Sequence, residues 1–307
     1  MNRIIAVLLF VVGYQSAFGQ GALSPTAAPA PTMKSLAQIE PRTPISALPA
    51  TITVSGSYYV TTNLTGIAGS TNGITILVSD VTLDLSGFTL LGVAGSGSGI
   101  TVPSSVENLA IRNGGLDSWG GNGIATLNAY NSQFDRLHVS NCAGGLLAGS
   151  NCLVSVCTAT GNSYYGINVG NNCIVKDSAA CGNSGSGTSG ISVENNNCIV
   201  KDCTAIGNSE AGIFVGGNNN LISGNNCSAN GEYGIQIFGG SQNRVDGNTA
   251  GNNAFYGIYP FPVNLTNSIT RNFAPGNGSG GYGNYTGNSD YAPTGTVSTA
   301  TNPWTNF

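Results

Sequence analysis

Few side chains in this 307-residue chain are suited to chemistry, and the densest group is Lys176-Asp177, echoed by Lys201-Asp202, with Glu194 on a following turn. Eliminative cleavage of a sugar acid needs carboxylates that hold calcium and a basic proton acceptor, whereas hydrolysis needs an acid and base pair. Under either reading Asp177, Asp202, Lys176 and Lys201 are the candidate catalytic residues. Calcium enters as a cofactor only with the elimination reading; otherwise none is implied. The opposing reading is a solvated ion-pair patch in which stacked like charges compensate one another.

Eight cysteines in an exported chain would ordinarily announce a disulfide framework. Their spacing argues for buried free thiols instead. Cys152, Cys173 and Cys198 recur in one slot of a repeat, and Cys157 and Cys203 share another with Ser178 between them. Two repeat rises place Cys157 and Cys203 roughly 9 to 10 Å apart, beyond disulfide reach. One bridge between vertical neighbours such as Cys173 and Cys198 remains the rival arrangement. Cys-x4-Cys without a nearby histidine does not make a zinc site. His138 is the lone histidine and is read as surface or core filling. The glycine pattern at residues 185–190 leads into a strand rather than a helix, so it is not a dinucleotide loop. A binding signal comes from aromatics: Tyr165, Tyr233 and Tyr256 precede a Gly-Ile pair, and Phe214 and Tyr259 follow one on the outward side. Such rings could stack on sugar faces, or merely cover turn backbone.

The elements that would position these residues repeat. Gly-Ile or Gly-Leu pairs start at 73, 99, 123, 145, 166, 190, 212, 234 and 257, spaced by 21 to 26 residues. A second template, Asn/Cys-x-Val/Ile-x-x-Asn/Cys/Ser-x-Ala/Cys-x-x-Asn-x-x-x-Gly, fits six successive copies between Cys152 and Gly281. Each unit is too short for two helices and alternates β-branched patches with Asn and Gly turns. Three short strands and three turns in about 22 residues describe one coil of a parallel β-helix, each stacked on the last at roughly 4.8 Å. Nine coils would span about 40 Å. Identical slots then superpose, predicting ladders through Cys152, Cys173, Cys198, Asn220, Asn243 and Asn267, and through Cys157, Ser178, Cys203, Asn225, Asn248 and Asn272.

This period resembles the repeats of the right-handed parallel β-helix family, the pectate-lyase-like superfamily, over about residues 35 to 307. Ile39-Glu40-Pro41-Arg42-Thr43-Pro44-Ile45, Gly56-Ser57-Tyr58-Tyr59, the run from Val81 to Leu90 and Asn302-Pro303-Trp304 are similar to stretches in exported bacterial members of unassigned activity. The resemblance implies an all-β, single-stranded right-handed parallel β-helix of about nine coils with N- and C-terminal caps. Neither the paired-aspartate motif of polygalacturonases nor the Asp-Pro-His-Asp motif of alginate epimerases is present, so neither activity carries over.

Only 7% of residues are charged, against about 25% in ordinary domains. With 37 asparagines, and Ser and Thr in plenty, the exterior is polar without being ionic. A net charge of −4 with nine Lys and Arg excludes nucleic-acid binding through a basic patch. Residues 1–19 carry Arg3, an apolar run and small residues before Gln20, the pattern of a cleaved signal peptide, and no later window spans a membrane. Residues 20–49 read as a Pro/Ala/Ser-rich linker with one helical turn at 35–39, 50–281 as the β-helix, and 282–307 as a capping tail ending in Trp304 and Phe307. The expected location is secreted, periplasmic or cell-surface. The function expected first is a non-catalytic structural or carbohydrate-interacting module, its partner an extracellular polysaccharide or envelope component. A polysaccharide lyase or hydrolase is the alternative, and self-association into a filament or coat a third reading.

Overall fold

In the computed structural model, residues 41–185, 187, 189–262, 266–283, 290–291 and 305–306 are described. The expected signal peptide, helical turn, Trp304 and Phe307 lie outside them. From Arg42 onward the chain forms one contact unit, an all-β right-handed parallel solenoid of about ten turns. No helix among the described residues is long and apolar enough to cross a membrane.

One sheet stacks eleven parallel strands, from Ala50–Ile52 through Ile167–Val169, Ile191–Val193, Ala211–Val215, Tyr233–Phe238 and Tyr256–Phe261 to Gly280–Tyr282. The residues after the Gly marks stand in register, Ile191 on Ile213, Ile213 on Ile235 and Ile235 on Ile258. All four are fully buried, since alternate residues of a strand face one side. A seventeen-strand sheet makes the remaining walls and joins two strands from each middle coil, such as Ile174–Lys176 and Ala179–Cys181. Past Thr204 its second wall thins to isolated bridges through Asn226, Thr249 and Phe273.

Two expected boundaries shift. Thr43–Ile45, placed in the linker by composition, is a strand paired with Tyr58–Val60, its buried Ile45 stacked on the buried Val60. At the other end Ser268–Thr270 pairs with Asp290–Tyr291, so strand structure runs into the stretch expected to be tail.

The bends follow one rule: a residue in the left-handed region precedes a buried slot. Asn151, Asn172, Asn197 and Asn219 take φ of 56–59° before Cys152, Cys173, Cys198 and Asn220. Asn and Gly tolerate that conformation best, which is why they punctuate the sequence. In the slots, each Asn side chain both accepts and donates. Asn225 Oδ1 accepts from the Cys203 N–H at 2.9 Å while its Nδ2 donates to Val200 O at 3.0 Å. Asn248 and Asn272 repeat this, and Asn306 Oδ1 takes the Asn272 N–H at 2.9 Å. The first column runs likewise through Asn220, Asn243 and Asn267. A third column joins Cys142, Asn162, Asn183, Asn208, Asn230, Asn253 and Asn277. Here the glycine of the Gly-Ile pair is obligatory: a Cβ on Gly190 would lie 2.5 Å from Asn208 Nδ2.

Candidate functional site

Lys176 and Lys201 are paired neighbours in adjacent coils, and Lys176 Nζ lies 3.9 Å from Asp177. Asp177 and Asp202 are exposed bend residues with φ of 51° and 55°. The same bend position is held elsewhere by Val156, Gly224, Gly247 and Arg271, all with positive φ. Aspartate stands there because a short polar side chain tolerates the turn. Glu194 is not with this group: it follows Ile191–Val193 in the eleven-strand sheet. Among the described residues no three His, Cys, Asp or Glu side chains are placed to hold a metal ion.

All eight cysteines are free thiols, seven of them buried. The Cys152 N–H points at Cys173 Sγ (3.3 Å) and the Cys173 N–H at Cys198 Sγ (3.4 Å), so sulfur takes the acceptor place that an Asn oxygen holds in later coils. Burial pushes the Cys157 thiol up to about 12 and that of Cys203 to about 11, keeping both protonated and unreactive at neutral pH. His138 is exposed, its Nδ1 2.7 Å from Thr158 Oγ1, and it lines a shallow depression with Arg136 and the paired glycines Gly114 and Gly115.

The outer face of the eleven-strand sheet has a different character. A groove of about 320 Å³ has as its floor Asn168, Ser192, Phe214 and Gln236, which stack in register over four coils. Tyr164 and Tyr165 wall one end, and carboxylates stand on opposite edges: Glu194 just after its strand, Glu210 just before Ala211–Val215. Glu194 accepts from Ser192 Oγ at 3.3 Å and from Asn168 Nδ2 at 3.5 Å, and Glu210 accepts from the Gly187 N–H. Burial raises the Tyr165 phenol above its ordinary value.

From Phe214 an aromatic run continues over the last coils. Ring centroids lie 6.5 Å apart for Phe214 and Phe238, 5.5 Å for Phe238 and Phe261, and 6.2 Å for Phe261 and Tyr259. Tyr259 in turn stacks on Tyr233 at 4.8 Å and on Tyr256 at 5.3 Å. The structure thus brings four of the five aromatics singled out from sequence into one cluster, with Tyr165 at the far end of the adjoining groove. Phe238, Phe261 and Glu210 were not marked by the repeat. Phe238 and Phe261 sit one place beyond the Gly-Ile-x-Ile/Pro unit, where two successive coils happen to agree.

The family model described as right handed beta helix region matches residues 51–218 and 180–298. Among solved structures, the A-module of mannuronan C-5 epimerase AlgE6 from Azotobacter vinelandii superposes with a TM-score of 0.58 at 14% identity, covering 82% of this chain and 88% of that one. The A-module of AlgE4 from the same organism gives 0.55 at 12% identity, with 83% and 90% covered. The Dettilon tailspike protein gives 0.60 at 14% identity, with 86% of this chain and 60% of that one covered. No curated protein matches the chain by sequence at a significant level.

Proposed function

Given that the chain belongs to the right-handed β-helix family, we propose that it is an exported, non-catalytic module that binds an extracellular glycan on the outer face of its eleven-strand sheet. The observation that carries this reading is the continuity of a polar groove with the aromatic run Phe214, Phe238, Phe261 and Tyr259 on one face. Aromatic rings offer flat apolar area to the C–H faces of sugars, while Asn168, Ser192 and Gln236 offer hydrogen bonds to hydroxyls. Phe238 is 50% exposed and Phe261 41%, a cost that a chain with so polar an exterior accepts where a partner covers the rings. The epimerase modules with this fold act, by their names, on mannuronan, which agrees with a polysaccharide partner.

Affinity electrophoresis through gels of several polysaccharides tests the proposal. Phe214→Ala and Phe238→Ala, with unchanged far-ultraviolet spectra, should each weaken retardation about tenfold, as removal of a stacked ring does. Equal retardation of wild type and both variants, or no retardation in any gel, would discard the site.

A second reading follows from the two carboxylates on opposite edges of the groove: Glu194 and Glu210, rather than Asp177 and Asp202, would be the acid and base of a glycoside hydrolase. New reducing ends that vanish in Glu194→Gln or Glu210→Gln would replace the binding module with an enzyme.

A further inference from the structure

The charges of the solenoid are segregated. Arg112, Arg136, Lys176, Lys201 and Arg244 lie in strands of the seventeen-strand sheet; Arg42 and Arg271 directly adjoin strands of the same sheet. These are all the Lys and Arg among the described residues, and none lies in a strand of the eleven-strand sheet. Yet three carboxylates border that sheet in consecutive coils. Glu194 and Glu210 edge the groove, and Glu232 follows one coil beyond Glu210, its N–H donating to Glu210 O at 2.9 Å. Three Asp residues of the other sheet are compensated: Asp84 faces Arg42 and Arg112, Asp135 faces Arg136, and Asp246 faces Arg244 and Arg271; Asp117, in the same sheet, is held instead by Ser118, Ser140 and Asn141.

We infer that the groove takes a glycan carrying protonated amines, a hexosamine polymer with free amino groups, in preference to neutral or carboxylate-bearing chains. This deepens the carbohydrate reading above and rests on it. Carboxylates are acceptors only, so the ligand must bring the donors, and an ammonium brings three. Its charge would complete the pairing that no Lys or Arg among the described residues supplies on this face, and the rings of Tyr165 and Phe214 beside it also favour a cation over their faces. A uronate polymer meets the reverse situation: its carboxylates would approach Glu194 and Glu210 with no described Lys or Arg on this face to offset the repulsion, which works against binding. Burial, and after it like-charge repulsion from Glu210, raises the Glu232 carboxyl above its ordinary value.

Isothermal titration at low ionic strength, below the amine pKa, tests this with three hexasaccharides: glucosamine, its fully N-acetylated counterpart, and mannuronate. The amine form should bind about tenfold tighter than the N-acetylated form, the yield of two partly exposed charge pairs, and mannuronate weakest. The double variant Glu194→Gln/Glu210→Gln, checked for an unchanged melting curve, should bind the amine and N-acetyl forms alike. Equal affinity of the wild type for the amine and N-acetyl forms, tighter mannuronate binding, or a preference that survives in the double variant would overturn the inference while leaving a glycan site intact. If none of the three binds and polysaccharide retardation is also absent, the binding-module reading falls and this inference with it.

Discussion

The early and late coils solve the same bend problem with different chemistry. Followed along the register of the inward columns, the third slot is Trp119, then Cys142, then Asn from residue 162 onward. The second runs from Leu137 through Cys157, Ser178 and Cys203 to Asn225, and the first from Leu109 through Ser132 and three cysteines to Asn220. In each column an apolar residue gives way to a small thiol or hydroxyl and then to an amide. The early coils are longer and fill their corners with bulk. The Trp119 indole lies against Gly66, Gly73 and Gly99 and donates to Leu90 O at 2.9 Å. The late coils are shorter and regular, with corners closed by side-chain amides that bond the coil above and below. Regularity has a surface consequence: outward residues also fall into register, and the aromatic run occurs there and not over Thr75, Thr101 and Ala125.

The contrast can be broken at its thickest point. Trp119→Ala empties a corner shared by several early coils and should cost about 4 kcal/mol in urea unfolding. A loss under about 1 kcal/mol would mean that bulk does not hold these coils. The amide corners should be nearly as sensitive. Asn225→Ala or Asn248→Ala strands a buried N–H and a buried carbonyl at once, a loss of about 2 to 3 kcal/mol. The sharper half of that experiment is Cys203→Asn, which extends the late chemistry one coil earlier. An amide there would reach Val175 O, to which Cys203 Sγ now donates at 3.6 Å, and stability should stay within about 1 kcal/mol of wild type. A collapse would show that the thiol coils are shaped for sulfur.

Charge pairs are a smaller term. Asp246 accepts from Arg271, Thr270 and Arg244, and these bonds hold its carboxyl down at about 2 against an ordinary 3.8. Since the folded value is depressed, the contribution is complete above pH 3.8 and disappears as pH falls through about 2. Asp246→Asn should therefore lose about 1 to 2 kcal/mol at neutral pH and flatten the acid limb of stability against pH between those values. Thermal melts across that range check both parts. The smallest effect is a gain. Val156 is a β-branched residue at φ 54°, half exposed, where later coils place Gly224 and Gly247. Val156→Gly should raise stability by about 1 kcal/mol, measured as a higher urea midpoint.

Much of the fold was legible because a stacked solenoid writes its geometry as a period. Ile191, Ile213 and Ile235 are 22 residues apart in sequence and neighbours in space for the same reason. The third slot was legible too: Asn162, Asn183 and Asn208 closed the template, and the glycine four to seven residues on, now seen to make room for a stacked Asn, was part of the same signal. The first coil was misplaced because Thr43–Ile45 lies in a stretch whose proline content reads as linker, and only pairing with Tyr58–Val60 makes it a strand. The outward residues were less legible than the columns. Asp177 and Asp202 stand out in sequence by residue type and sit at bends, while Glu210, unmarked by the repeat, edges the groove.

The sequence by itself determined the coil, its period, its inward columns and its bends, since each depends on residue type at a fixed spacing along one strand path. Only the tertiary structure decided which outward residues meet. Phe214, Phe238, Phe261 and Tyr259 come from three coils and two positions within a coil, and their contact depends on how side chains lean between stacked strands. The same stacking leaves the described cations on one sheet and carboxylates without a described cation partner along the other, a division that no single repeat displays.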